Sequence, residues 1–254
     1  MLPRFYFPGE ISVGQLIELS AGTAHHVARV LRLEEGAEVV LFNGKGGEFG
    51  SVLVRSRRNG ATVAVEQYRP VERESRLSIT LAQAVCASEK MDWIVQKAVE
   101  LGVDRVQPLV TARSVVRLSG ERGERRVSHL QRVAIAAVEQ CGRNRIPQVS
   151  GLASLEGWLG VQAAGMSDSS EETSLNTHLI LVPGAKMGLR DLSAPPAGAG
   201  IVLLIGPEGG FAPNEESAAK VAGFVPVRLG ERILRVESAA LAAVAAMQAL
   251  WGDY

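Results

Sequence analysis

The pattern of hydrophobic and polar positions changes within the first third of the chain. Before the change, short apolar runs at 39–42 and 51–54 flank the glycine-rich segment 43–47, and residues 61–67 alternate apolar with small or polar side chains. Apolar runs on either side of such a segment predict a β-hairpin, here followed by a third strand. Residues 25–32 have apolar side chains at helical spacing and predict a short helix.

From residue 70 onward, predicted strands alternate with helices of twelve or more residues, which is the pattern of an α/β domain. The strands are expected at 77–84, 106–110, 178–182 and 201–205, and the helices at 90–101, 126–141 and 238–251. The last two strands are apolar nearly throughout, as in parallel strands that are covered on both faces. The polar, acidic segment 166–177 predicts a mobile surface insertion.

Composition excludes several classes of protein. With 254 residues, of which 46% are hydrophobic and 21% charged, the chain is long enough to bury a core without disulfides or a structural metal. Cys86 and Cys141 lie far apart and belong to no CxxC or Cys/His cluster, so we expect no metal site and a reducing, cytoplasmic location. No apolar run is long enough for a membrane span, so we expect neither membrane insertion nor export.

Charge is balanced over the whole chain but not along it. Lysine plus arginine equals aspartate plus glutamate at 27 each, yet residues 113–145 contain eight arginines and three glutamates. Solvated helix faces explain most charge runs. An arginine-rich block without lysine also suits bidentate contacts to phosphate, so it favours an RNA or phosphate surface.

Two glycine-containing segments are candidates for chemistry. Residues 204–211 form a strand that runs into a glycine-rich turn, which is either a structural turn or a ligand site at the carboxyl end of the sheet. Residues 229–238 lead into the last helix. There Glu237 and Ser238 fit helix capping, whereas Arg235 is either a solvated surface arginine or a guanidinium that points into the crevice.

Taken together, these segments resemble one family over nearly the whole chain. The resemblance rests on IGPEGGF (205–211), LGERILRVESA (229–239), KMDWIVQKAVELGV (90–103), AAVEQCGRNRIP (136–147) and, near the N-terminus, PRFYF and HHVARVLRL. The chain is similar to the RsmE family, the methyltransferases that modify N3 of a uridine in 16S ribosomal RNA. Two positions depart from the family pattern: Cys86-Ala87-Ser88 stands where a Lys-Gly is common, and Ser238 stands where a threonine is common.

The resemblance implies an α/β fold with two domains. A small PUA-like β-barrel is expected at residues 1–70, and a SPOUT-type methyltransferase domain with a C-terminal trefoil knot at 71–254. It also implies a homodimer formed through the knot region, S-adenosylmethionine as cofactor, no metal, and 16S RNA within an assembled small subunit as substrate.

The resemblance also implies roles for individual residues. The residues expected to bind the cofactor lie on three loops: Val182, Pro183 and Gly184; Gly206, Pro207, Glu208, Gly209 and Gly210; and Leu229, Gly230, Ile233, Leu234 and Arg235. Arg235 is expected to stabilise the uracil anion, and Glu208 or Glu237 either accepts the N3 proton or is structural. The residues expected to contact RNA are Arg4, Arg29, Arg32, Arg113, Arg126, Arg143 and Arg145.

Two other functions stay open at this point. One is a SPOUT methyltransferase that acts on another position of ribosomal or transfer RNA. The other is a ribosome assembly factor without catalytic activity, which the intact glycines at 206, 209 and 210 disfavour.

Overall fold

The computed structural model describes residues 2–57, 60–114, 120–167 and 176–254. The chain divides into two compact units, of which the first comprises Met1–Glu74 together with Val138–Ile146. The second comprises Ser75–Ala137 and Pro147–Tyr254. The domain boundary between residues 70 and 71 stays a prediction. It assumes that each domain is one continuous stretch of chain, whereas the first unit also includes Val138–Ile146.

The first unit contains a five-stranded sheet. Its strands are β1 (Arg4–Tyr6), β2 (Leu16–Glu18), β3 (Glu38–Phe42), β4 (Glu48–Arg57) and β5 (Gly60–Arg69). The order is β1-β3-β4-β5-β2, and every pair is antiparallel except β1 with β3. The predicted hairpin and third strand are therefore confirmed as β3, β4 and β5. Gly46 and Gly47 in the hairpin turn have φ values of +98° and +67°, a region that side chains disfavour.

A short helix packs on the core of the first unit. Helix α1 (Ala21–His25) continues as a π-helical turn at His26–Val30, so the predicted helix at 25–32 begins earlier and ends sooner than its apolar spacing suggested. Ser20 accepts a hydrogen bond from the N–H of Thr23 and so caps the start of α1. Val27 is fully buried against this core.

Two arginines that were expected to contact RNA are buried in the first unit. The Arg4 guanidinium is 2.6 Å from Glu48, and that of Arg143 is 2.5 Å from Glu74. The two arginine residues are only 7% and 4% exposed. The expectation of RNA contact is wrong for both, since a buried guanidinium held by a carboxylate cannot reach a phosphate group.

The second unit is an α/β fold around a parallel sheet. Its strands are β6 (Ile79–Ala84), β7 (Arg105–Val110), β8 (Gln148–Val149), β9 (Ala153–Ser154), β10 (Thr177–Leu181), β11 (Met187–Gly188), β12 (Ile201–Ile205) and β13 (Val225–Arg228). Its helices are α2 (Ser88–Glu100), α3 (Gly120–Cys141, whose last four residues are counted with the first unit), α4 (Leu155–Ser167), α5 (Pro213–Val221) and α6 (Val236–Trp251). The strand order is β11-β13-β10-β12-β6-β7-β8, with β9 beside β7, and all pairs are parallel.

The apolar patterning located the centre of this sheet correctly. Strand β12 is buried along its whole length, and it lies between β10 and β6. Strand β13 lies on the other side of β10, so the chain crosses β10 between β12 and β13. The predicted insertion at 166–177 falls mostly on residues 168–175, which lie outside the described residues.

Three helices begin earlier than predicted. Helix α2 starts at Ser88 instead of 90, α3 at Gly120 instead of 126, and α6 at Val236 instead of 238. Ser238 therefore lies inside the first turn of α6, and its expected capping role is wrong because the N-cap position is Arg235. In the described parts of the chain, no helix combines the length and apolar character of a membrane span.

Candidate functional site

A pocket opens at the carboxyl ends of three adjacent strands of the second unit. Strands β13, β10 and β12 are neighbours in the parallel sheet, and the chain that follows each of them lines a cavity of about 590 Å³. In open α/β sheets, ligands bind in crevices at this edge. The volume falls within the roughly 300–1,000 Å³ of small-molecule sites. The pocket is therefore the candidate site.

Most of the residues predicted to bind a cofactor line this pocket. They come from the loop after β10 (Val182, Pro183), the turn after β12 (Gly206 to Gly210) and the segment after β13 (Leu229, Gly230, Ile233, Leu234, Arg235). Gly184 was predicted with them, but it is absent from the lining. The chain thus brings three loops that are distant in sequence to one site.

Glycine shapes the turn after β12. The N–H of Gly210 donates to the carbonyl of Pro207 at 2.9 Å, and the φ of Gly210 is +67°. Apart from Gly210 and its two chain neighbours, no atom of the described residues lies within 4 Å of the place where a Cβ at Gly210 would stand. A ligand can therefore approach the backbone of this turn closely.

The loop after β7 supports the same turn. Arg113 donates from Nη1 to the carbonyl of Gly209 at 2.9 Å, and the N–H of Ala112 donates to Glu215 at 2.7 Å. Glu215 also accepts from the N–H of Ala212 at the start of α5. Arg113 is still exposed, so an RNA contact there stays a prediction beside its structural role.

Arg235 lies at the pocket where β13 leads into α6. It occupies the N-cap position with extended backbone, and its side chain makes no capping hydrogen bond. The side chain is exposed and lines the pocket. It therefore shares features of both alternatives from the sequence, a solvated surface arginine and a guanidinium at the crevice. It offers a cation at the pocket and has no ion-pair partner within the part of the chain that the structure describes.

A group of charges lies on one side of the pocket. Lys90, in the first turn of α2, has its Nζ 3.1 Å from Glu208 and 3.6 Å from Glu237. Lys90 and Glu208 line the pocket, whereas Glu237 does not and lies in the first turn of α6. The three side chains are between 20% and 32% exposed. We call these three residues the lysine–glutamate cluster.

The electrostatics of the cluster argue against Glu208 as a proton acceptor. Burial disfavours its charged form, but hydrogen bonds from its own N–H, from Lys90 and from the N–H of Ala87 outweigh burial and hold the pKa of Glu208 below its usual range. A carboxylate whose pKa is lowered is a weaker base at neutral pH. These contacts favour structural roles for Glu208 and Glu237.

Sequence reasoning missed several residues of the pocket. They are Lys90, Leu181, Ile205, Phe211, Glu216, Arg228, Arg232, Val236 and Ala239. Most are immediate neighbours of predicted positions. Lys90 is different, because it lies 118 positions from Glu208 and no local pattern connects the two. Within the described residues, no three His, Cys, Asp or Glu side chains are grouped closely enough to hold a metal ion.

The remaining arginines of the RNA prediction differ in their availability. Arg29 and Arg32 are exposed on the first unit, and so is Arg145, although it pairs with Glu72 at 2.7 Å. Arg126 is mostly buried and pairs with Asp92 at 2.9 Å. Contact with RNA stays a prediction for Arg29, Arg32, Arg145 and Arg126.

Comparison with known families gives two matches. Residues 73–248 match the family described as RNA methyltransferase domain, and residues 19–66 match the family described as RNA methyltransferase PUA domain. Among curated proteins, ribosomal RNA small subunit methyltransferase E of Buchnera aphidicola from Schizaphis graminum is 30% identical over 253 residues, which is 99% of this chain and 98% of the relative. The protein of that name from Mycobacterium bovis is 31% identical and covers 97% of this chain and 91% of its own length.

Two solved structures are similar along their whole length. One is a putative methyltransferase from Legionella pneumophila in complex with the bound cofactor SAM, with a TM-score of 0.90, 37% identity and full coverage of both chains. The other is a ribosomal RNA small subunit methyltransferase E from Neisseria gonorrhoeae bound to S-adenosyl methionine, with a TM-score of 0.88, 37% identity and full coverage of both chains.

Proposed function

The chain belongs to the ribosomal RNA small subunit methyltransferase E family, and on that premise we propose that it transfers a methyl group from S-adenosylmethionine to N3 of a uridine in 16S ribosomal RNA. The observation that carries the proposal is the pocket at the carboxyl ends of β10, β12 and β13, in a chain that matches S-adenosylmethionine-bound relatives over its full length. The fold is the predicted α/β type, a SPOUT-type methyltransferase domain with a PUA-like domain before it.

The residues of the pocket fit S-adenosylmethionine. Leu181, Ile205, Leu229 and Ala239 offer apolar surface to an adenosyl group, while the open space beside Gly210 lets the cofactor lie against the backbone of the turn. When bound, the cofactor supplies an electrophilic methyl group on a positively charged sulfur. The loops of this chain would hold that group in one orientation and exclude water from it.

Arg235 supplies the charge that the reaction requires. Uracil N3 carries a proton and becomes a nucleophile only when the proton leaves, which spreads negative charge onto O2 and O4. A guanidinium with two parallel donors suits such an anion, and Arg235 is exposed at the pocket. Arg235 therefore favours the ionised base, and solvent takes the proton.

Recognition of the RNA is assigned to the first unit and to arginines near the pocket. Arg29 and Arg32 are exposed on the first unit, whose residues 19–66 match the PUA family, and Arg113 contacts the glycine turn of the pocket. Phosphate contacts of this kind position an RNA, whereas the pocket accepts one base. We further propose an assembled small subunit as substrate, a homodimer formed through a C-terminal knot, and a cytoplasmic location.

Mass spectrometry of 16S RNA tests this function. Cells that lack the protein should contain 16S RNA without 3-methyluridine, and a plasmid copy of the gene should restore the modified base. A plasmid that carries the Arg235→Ala variant is the matched control and should restore little of it. Wild-type levels of 3-methyluridine in the deletion strain would refute the proposal.

A further inference from the structure

The lysine–glutamate cluster joins three elements that build the pocket. Lys90 comes from α2, Glu208 from the turn after β12, and Glu237 from the first turn of α6. The ammonium of Lys90 is 3.1 Å from Oε1 of Glu208 and 3.6 Å from Oε2 of Glu237. One positive charge therefore faces two negative charges, and Lys90 is the residue that contacts both of the others.

The two glutamates depend on Lys90 to different degrees. Glu208 keeps hydrogen bonds from its own N–H and from the N–H of Ala87 if the lysine is removed. Oε2 of Glu237 is buried and has no hydrogen-bond partner among the described residues, so its negative charge is balanced by the ion pair with Lys90. A carboxylate left in a buried place without its cation is strongly destabilising. Loss of Lys90 would therefore act mainly on Glu237.

Glu237 lies two residues after Arg235, at the beginning of α6. Resting on the proposed function, we propose that Lys90 is a positioning residue for methyl transfer: by compensating Glu237 it holds the first turn of α6, and with it Arg235, at the pocket. Glu237 is then a partner of Lys90 instead of the base that accepts the N3 proton.

The surroundings of Lys90 make it a permanent cation. The hydrogen bond to Glu208 is the largest cause that raises the pKa of Lys90, and the charges of Glu208 and Glu237 act in the same direction. Burial, together with the charge of Glu208, raises the pKa of the neighbouring Cys86 thiol to about 12, so this group stays neutral. Lys90 consequently cannot take up the N3 proton at neutral pH.

Four variants of the full-length protein test the proposal, and small subunits from the deletion strain serve as substrate. Lys90→Met should lower kcat by about 10- to 100-fold, the loss that is typical when a residue that orients a metal ligand is removed, because Lys90 orients Arg235 in the same indirect way. The KM for S-adenosylmethionine should change by no more than about threefold, because the three loops of the pocket remain. Lys90→Arg keeps the charge and should restore most of kcat.

The control lies on the same helix. Lys97 also pairs with a glutamate of its own, Glu100 at 2.8 Å, but it does not line the pocket. Lys97→Met should keep wild-type kcat within about twofold, as expected for a surface ion pair. The melting temperature of each variant shows whether it is folded.

The double variant Lys90→Met/Glu237→Gln distinguishes positioning from direct contact with the substrate. Removing the stranded negative charge should raise kcat about tenfold above that of Lys90→Met, since coupled residues are not additive. A kcat for Lys90→Met within twofold of the wild type would overturn the proposal. So would a double variant as slow as Lys90→Met, which would mean that Lys90 acts on the substrate itself. Wild-type protein that forms no 3-methyluridine would refute the proposed function instead.

Discussion

Replacing Arg235 with alanine should separate catalysis from stability. The side chain is exposed, makes no capping hydrogen bond at the start of α6, and has no ion-pair partner among the described residues. Its removal strands no opposite charge. Surface substitutions of this type change the free energy of unfolding by about 0.5 kcal/mol or less. The variant should therefore fold and melt like the wild type.

The effect of Arg235→Ala on the rate should be large. Removing one preorganised donor to a developing oxyanion costs about 2.7–4 kcal/mol of transition-state stabilisation, or roughly 10²- to 10³-fold in rate. Affinity for S-adenosylmethionine should fall much less, because the three loops supply most of the pocket surface. Arg235→Lys keeps a charge but loses the fork of two donors, so its rate should lie between those of the wild type and the alanine variant.

Single-turnover transfer of a labelled methyl group to small subunits from a deletion strain measures this rate, and calorimetry measures the affinity for the cofactor. Arg190→Ala serves as the matched control, because Arg190 is also exposed in the second unit and does not line the pocket. If Arg235→Ala transfers methyl groups within threefold of the wild-type rate, the assignment of Arg235 is refuted.

Four further outcomes are expected. Gly210→Val should abolish cofactor binding in calorimetry and cost about 1–2 kcal/mol of stability, since the φ of Gly210 is +67°; unchanged affinity would remove this turn from the site. Glu48→Gln leaves the buried Arg4 guanidinium without its carboxylate and should lower the free energy of unfolding, measured by chemical denaturation, by about 3–5 kcal/mol. A denaturation midpoint equal to that of the wild type would contradict this. Because burial of Glu48 is outweighed by hydrogen bonds from Arg4 and Arg73, its pKa lies below 4.5, so its stabilisation is complete above pH 4.5 and is lost at lower pH. When the logarithm of the RNA-binding constant is plotted against the logarithm of the salt concentration, Arg29→Ala should make the slope shallower by roughly 0.7–0.9. An unchanged slope would exclude a phosphate contact at Arg29.

The main elements of the fold follow from local patterns in the sequence. Strand β12 is a continuous apolar run because both faces of a central parallel strand are covered, and such a run can be read without a structure. The start of α6 was misplaced for an equally local reason. Ser238 is the preferred residue type for a cap, but the helix begins at Val236 and its N-cap, Arg235, makes no side-chain hydrogen bond.

What the sequence could not show depends on contacts between distant residues. Arg4 and Arg143 look like other arginines of a basic surface, and only the return of residues 138–146 to the first unit explains why both are buried. Lys90 belongs to a predicted helix, and its place between Glu208 and Glu237 depends on the fold that brings α2 to the pocket. The segments at 204–211 and 229–238 stood out by their own patterns, whereas the assignment of all three loops to the cofactor followed from the family resemblance.

The central claim is that this chain itself methylates N3 of a uridine in 16S RNA. The most direct test incubates the purified protein with small subunits from the deletion strain and S-adenosylmethionine that carries a deuterated methyl group, followed by mass spectrometry of the nucleosides. Our account predicts deuterated 3-methyluridine as the labelled nucleoside. Labelled ribose, a methyl group on another base, or no label in the RNA would contradict it.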